Sequence, residues 1–186
     1  MRRSRAALLT AAESLVRLRA TTDVSVHDLA ETAGVSRRVL YQHFGDRDTL
    51  LVATALHVLD RDLLRTLPED QHGDPPVAAL VGHVADNRVF YRAILTGTCA
   101  HAAGRAVTEL FAPHAVRRVS QMFGDLDRAT AREVSDFFGG AITTAPTTWL
   151  VDDWDGVPPE DFAARLTRIE RVLSHAHRRV RPEPRT

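Results

Sequence analysis

The chain has 186 residues, enough to bury a substantial core without a disulfide scaffold, and its single cysteine, Cys99, excludes an intrachain bridge or a cysteine-based zinc site. Its 24 basic and 24 acidic side chains balance, and every basic residue other than histidine is an arginine. No apolar run approaches membrane-spanning length, and the basic start Met1–Arg5 is followed by Thr10, Glu13, Ser14 and Arg17 in place of a signal-peptide core; a cytoplasmic protein with no membrane partner is expected.

The balance hides an uneven distribution, with eight arginines against six acids in residues 1–50 and sixteen against eighteen in the rest. In the first segment Leu8, Ala11, Ala12, Leu15 and Val16 recur at helical spacing opposite Thr10, Glu13, Ser14 and Arg17, which predicts an amphipathic helix. Thr21-Thr22-Asp23 ends it. Ser25 caps a second helix, with Asp28 placed to favour its positive end, and Gly34 closes that helix. Ser36 then caps a third, running from Arg37 to about Phe44. After Gly45, Asp46 opens a longer helix with an apolar face of Leu51, Ala55, Val58 and Leu59 that reaches about Leu67.

Pro68 and the polar, Pro/Gly-rich stretch 71–76 form the expected seam. Beyond it the pattern predicts helices at about 76–96, 100–111, 113–124, 127–152 and 159–179, then a disordered Arg/Pro tail at 180–186. Period-two alternation of strand length is missing, so the fold class is all-α, with about nine helices. The expected organisation is a three-helix helix-turn-helix domain at 1–46, a connecting helix at 47–67, and a larger helical ligand-binding and dimerisation domain at 68–179.

The stretch from Val26 to Phe44 has helix-turn-helix spacing: Ala30 is small where the helices cross, Gly34 makes the turn, and Leu29, Val35 and Leu40 face a shared core. Arg37, Arg38, Tyr41 and Gln42 then lie on the exposed face, the one such motifs insert into the major groove of double-stranded DNA. Together with Gly45-Asp46-Arg47-Asp48-Thr49-Leu50-Leu51, these residues resemble the tetracycline-repressor (TetR) family of bacterial transcription regulators over roughly residues 6–52. The matching positions are Ser25, Ala30, Gly34, Tyr41, His43-Phe44 and Arg47. The resemblance implies that Tyr41, His43 and Arg47 hold phosphates with help from Ser25, while Arg37, Arg38 and Gln42 approach bases; Ser36 belongs to the same face. The chain departs from the family pattern at Ala20-Thr21-Thr22, where glycine is common before the second helix, and at Arg38, where a small residue is common. Arg2, Arg3 and Arg5 read equally as an arm reaching DNA or as a solvated end.

In the last helix Phe162, Leu166, Ile169 and Leu173 recur as an apolar seam, and the preceding helix carries Phe137, Phe138, Ala141 and Trp149, with Pro146 expected to kink it. Two such helices from each of two subunits make a four-helix bundle, so a homodimer interface through Phe137, Ala141, Trp149, Phe162, Leu166, Ile169 and Leu173 is expected. Intrachain packing is the competing reading, and it holds at least in part because Phe137 and Phe138 are adjacent. The middle helices offer His83, Asn87, Tyr91, His101, Met122 and Phe138 as candidates for a chamber holding an unidentified small-molecule effector.

Catalytic spacing, a phosphate-cradling glycine loop and metal-ligand spacing are all lacking, so the chain is expected to be neither an enzyme nor a cofactor or metal carrier. The expected function is a ligand-responsive, sequence-specific repressor released by a small inducer, with the fourth helix linking the two sites. The alternative is a dimeric helical adaptor that does not bind DNA.

Overall fold

In a computed structural model, described over residues 2–67, 76–124, 126–153 and 156–180, the protein is built from helices, with no strand among the described residues. The elements in chain order are α1 (Arg2–Arg19), α2 (Val26–Thr32), α3 (Arg37–Phe44), α4 (Arg47–Asp62) with a 3₁₀ turn at Leu64–Thr66, α5 (Val77–Asp86), α6 (Arg88–Thr96), α7 (Ala100–Phe123), α8 (Arg128–Thr148) continued by a π-helical turn at Trp149–Asp153, and α9 (Pro159–Val180). No helix among the described residues is long and apolar enough to cross a membrane.

Local chemistry sets the first four helix boundaries. Ser25 adopts an extended backbone and its hydroxyl accepts from the Asp28 N–H at 3.0 Å, opening α2. Gly34, at φ 63°, turns the chain after α2, and the Val35 N–H reaches back to the Ala30 carbonyl at 2.9 Å. Gly45, at φ 80°, closes α3, and the Asp46 carboxylate accepts from the Thr49 N–H at 2.7 Å to start α4. The Thr49 N–H, with the Thr49 hydroxyl, holds the Asp46 carboxyl below its ordinary range. Ser36 occupies the capping position of α3 but its side chain makes no capping bond. At Ala20 the backbone takes φ 52°, a left-handed conformation that glycine adopts freely and alanine does not.

The later helices depart from the expected boundaries. The stretch read as one helix over 76–96 is two, broken at Asn87, whose side-chain amide donates to the His83 carbonyl at 2.8 Å. The two segments read on either side of Ala112 are one helix, α7, which packs along α8 and passes through position 113. The fourth helix stops at Asp62 and gives way to the 3₁₀ turn before Leu67. Arg3 and Arg5 lie exposed on the first turn of α1, neither a separate arm nor an unstructured end. The tail at 181–186 lies outside the described residues.

One buried cluster runs through both halves of the chain. Leu8, Val16, Leu29, Leu40, Leu50 and Leu51 from the first four helices are continuous with Phe90, Ile94, Trp149, Leu150 and Ala163. Helix α4 packs on α1, α3, α6 and α7, so it spans from the helix-turn-helix to the C-terminal bundle.

Candidate DNA-binding face and ligand chamber

Leu40 and Phe44 of α3 are buried, which turns Arg37, Arg38, Tyr41 and Gln42 outward. Arg37 with Tyr41, and Arg38 with Gln42, are spaced at i,i+4, so the four form two adjacent stripes on one face. Tyr41 is 52% exposed, unusual for an aromatic ring in a helix whose other aromatic residue is buried. Among the described residues neither Arg37 nor Arg38 forms an ion pair, whereas Arg19 is tied to Asp28 at 2.5 Å. That contact, with the Ser25 hydroxyl, holds the Asp28 carboxyl below its ordinary range. His43 is half-buried beside Phe44, and the Arg5 guanidinium stands 5.3 Å over the Phe44 ring. Ser25 and Ser36 are exposed next to this face, the Ser36 hydroxyl unused as a cap.

Arg47, expected to hold a phosphate, contacts three residues of its own chain. Its guanidinium is held inside the chain: Nε donates to Asp48 at 3.0 Å, one terminal nitrogen donates to the Thr98 hydroxyl at 3.2 Å, and the other lies 3.8 Å from Asp23. Arg47 thus joins the start of α4 to the α1–α2 loop and the α6–α7 loop. The same loops meet at Gly97, where an added Cβ would fall 2.0 Å from the Thr22 hydroxyl oxygen.

A chamber of about 550 Å³ lies between α4, α5, α6, α7 and the end of α8. Its walls are mostly apolar, contributed by Ala55 and Leu59 of α4, Leu80 and Val84 of α5, Tyr91, Ile94 and Leu95 of α6, Ala103, Val107 and Phe111 of α7, and Pro146 and Leu150. His101, Arg105 and Glu109 are exposed residues bordering it, and the latter two pair with each other at 3.3 Å. Of the expected ligand residues, Tyr91 and His101 line the chamber. His83 and Asn87 stand behind Tyr91. Phe138 packs instead toward Phe123, ring centres 6.1 Å apart, and the Met122 side chain lies outside the described residues. The aliphatic walls were missed because nothing in sequence distinguishes an apolar wall from ordinary core.

A polar network leads from Tyr91 to α1. The Tyr91 hydroxyl is 2.7 Å from His83 Nε2, Asn87 reaches His83, and Arg17 donates to Asn87 Oδ1 at 2.5 Å. Arg17 also donates to Glu13 at 3.1 Å, and Glu13 accepts two bonds from Arg61 of α4 at 2.9 and 3.0 Å. Burial alone would raise the Glu13 carboxyl, but the hydrogen bonds from Arg61 and Arg17 outweigh it and hold the carboxyl below its ordinary range. Burial lowers His83 and raises the Tyr91 phenol.

The expected dimer residues divide. Phe137 is 72% exposed, and Ala141 and Ile169 are exposed, as is Val172 of α9. Trp149 and Phe162 are corrected to intrachain core: Trp149 is 1% exposed, stacks on the Phe162 ring at 4.6 Å, and donates from its indole nitrogen to the Val157 carbonyl at 2.8 Å. Neither can reach a partner from there. Leu166 is half-buried against the same core, and the Leu173 side chain lies outside the described residues. Gly139 makes its close approach within the chain, to Thr108 of α7.

Residues 8–54 match the family model described as bacterial regulatory proteins, tetR family. No curated protein gives a significant match. Solved structures share the fold along most of the chain. A protein from a Rhodococcus species, described as a TetR-family transcriptional regulator, is 22% identical with a TM-score of 0.60, covering 94% of this chain and all of the other. NalD of Pseudomonas aeruginosa, the secondary repressor of the MexAB-OprM multidrug efflux pump, is 21% identical with a TM-score of 0.58, covering 91% and 95%. The TetR-family repressor AlkX of a Dietzia strain, implicated in n-alkane biodegradation, is 22% identical with a TM-score of 0.54, covering 95% and 96%.

Proposed function

We propose that this chain, whose residues 8–54 are a tetR-family regulatory domain, is a cytoplasmic, homodimeric repressor that binds an operator in double-stranded DNA and is released by a small-molecule inducer. The observation that carries the reading is the outward face of α3, where Arg37, Arg38, Tyr41 and Gln42 stand over buried Leu40 and Phe44. Arg37, Arg38 and Gln42 reach base edges, while Tyr41, His43, Ser25 and Ser36 hold phosphates. Repression as the sign is supported by NalD and AlkX, both of which are repressors.

The chamber supports the ligand half of the reading. Helix α4 contributes Ala55 and Leu59 to its wall and starts next to α3, a rod of about 24 Å joining the two sites. A guest that displaces α4 changes the separation of two recognition helices, and operator affinity falls. The exposed apolar residues Phe137 and Ala141 of α8, and Ile169 and Val172 of α9, are the positions offered to a second copy.

Selection of bound fragments from random DNA tests this directly. The expected result is a twofold-symmetric site with half-sites about one helical turn apart. Arg37→Ala is expected to lose about 1–3 kcal/mol of discrimination at one base pair per half-site, and Tyr41→Phe to weaken binding uniformly. Failure to enrich any sequence, with binding insensitive to salt, would favour the adaptor reading.

A further inference from the structure

The wall of the chamber is sorted by depth. Its buried residues, Ala55, Leu59, Ile94, Ala103, Phe111 and Leu150, are apolar, and Tyr91, the other buried one, has its hydroxyl 2.7 Å from His83. Its exposed residues are all polar: His101, Arg105 and Glu109 of α7, and Thr144 and Thr148 of α8. The fold brings these two exposed sets together. Residues 124–127 join α7 to α8, so the helices pack antiparallel, with Gly139 against Thr108. That register carries Thr144 and Thr148, one turn apart, alongside the first turns of α7, where His101 and Arg105 stand.

A guest filling this space meets two environments. In the buried end an apolar body is favoured, whereas a polar group would be stripped of water with no partner. At the exposed end the groups on offer both donate and accept. Each threonine hydroxyl does both. Arg105 donates and Glu109 accepts, 3.3 Å apart, and both side chains are largely exposed, so the pair is loosely held and can share its bonds with a guest. The same pairing works against an ionic head. A carboxylate drawn to Arg105 lies beside Glu109, and an ammonium drawn to Glu109 lies beside Arg105. A head of neighbouring hydroxyls accepts from the one and donates to the other.

We propose that the chamber takes a non-ionic amphipath, an apolar body carrying a compact head of neighbouring hydroxyls such as a vicinal diol or a glycerol monoester, with the head held by Thr144, Thr148, Arg105 and Glu109. This rests on the ligand-responsive reading above and adds the chemical class of the guest.

Three probes with one chain length, 1,2-decanediol, decanoate and decylammonium, test the class when titrated calorimetrically into the full chain below their micelle-forming concentrations, with 1,2-propanediol as the head alone. The expected result is that decanediol binds about 3-fold or more tightly than either ion and that propanediol gives no binding. Replacing both exposed threonines, Thr144→Val with Thr148→Val, keeps their shape and is expected to weaken decanediol about 3- to 10-fold. Thr144→Ser with Thr148→Ser keeps both hydroxyls and should stay within twofold of the wild type. Decanoate or decylammonium binding as tightly as decanediol overturns the hydroxylated head while leaving a ligand chamber in place. A valine pair that binds decanediol like the wild type, or a serine pair as weak as the valine pair, overturns it equally. If none of the three decyl probes binds the wild type, the chamber reading falls and this proposal with it.

Discussion

Gly97→Ala tests how tightly the C-terminal half is seated against the helix-turn-helix. The glycine has φ −88° and ψ 179°, so alanine meets no backbone penalty, and stiffening the unfolded chain would by itself stabilise by about 0.4–1 kcal/mol. The new Cβ, however, would sit 2.0 Å from the Thr22 hydroxyl oxygen and 3.0 Å from both the Thr22 Cβ and the Ala93 carbonyl. Thr22 is only 4% exposed and branched at Cβ, so it has little room to swing away. An ordinary contact is about 3.5 Å, so the loops must part by roughly 1.5 Å, an overpacking that costs about 1–3 kcal/mol. The net expectation is a loss of about 1–2 kcal/mol, or about 2–8 °C in Tm for a chain of this size. Thr22→Ala in the same chain removes the offending oxygen and should restore at least half of the loss, which a double-mutant cycle in urea measures. If Gly97→Ala is as stable as the wild type, or if Thr22→Ala gives no relief, the contact does not clamp the two halves.

Ala20→Gly relieves a left-handed alanine and should raise stability by about 0.5–1 kcal/mol, read from the urea midpoint; a decrease would refute the strain. His83 is depressed by burial, so between its folded value and about 6.5 the unfolded chain binds a proton that the folded chain does not. Stability should therefore fall as pH drops from 7 to 5.5, and His83→Gln should flatten part of that slope; an unchanged slope would place the proton uptake on other groups. Phe137→Arg puts a charge on the exposed α8 strip and should shift the chain toward monomer in sedimentation while leaving its fold intact, whereas an unaltered dimer would place the interface elsewhere.

What was readable in sequence was governed by neighbours within a few residues. Ser25, Gly34, Gly45 and Asp46 mark boundaries because each acts on a backbone group close by, and the period of Leu40 and Phe44 suffices to turn Arg37 and Tyr41 outward. Errors arose where distant contacts decide. The break at Asn87 is bound up with a side chain held by Arg17, seventy positions earlier. The segments read as 100–111 and 113–124 are one helix, α7, which runs unbroken along α8. The apolar seam of the last helices was visible as periodicity, which gives a face but not its partner, so Trp149 and Phe162 stacking on each other could not be told from two chains meeting. The contacts of Arg47 with Thr98 and Asp23 likewise belong to the folded chain and have no sequence signature.

The unbroken core from Leu8 to Ala163 bears on how such a regulator can be altered. The N-terminal helices excised near position 67 would carry a raw oily scar where Phe90 and Ile94 had been, so the two halves cannot be traded between proteins like cassettes. C-terminal residues facing α1 answer to two masters, and freedom to change is greatest at positions outside this shared core.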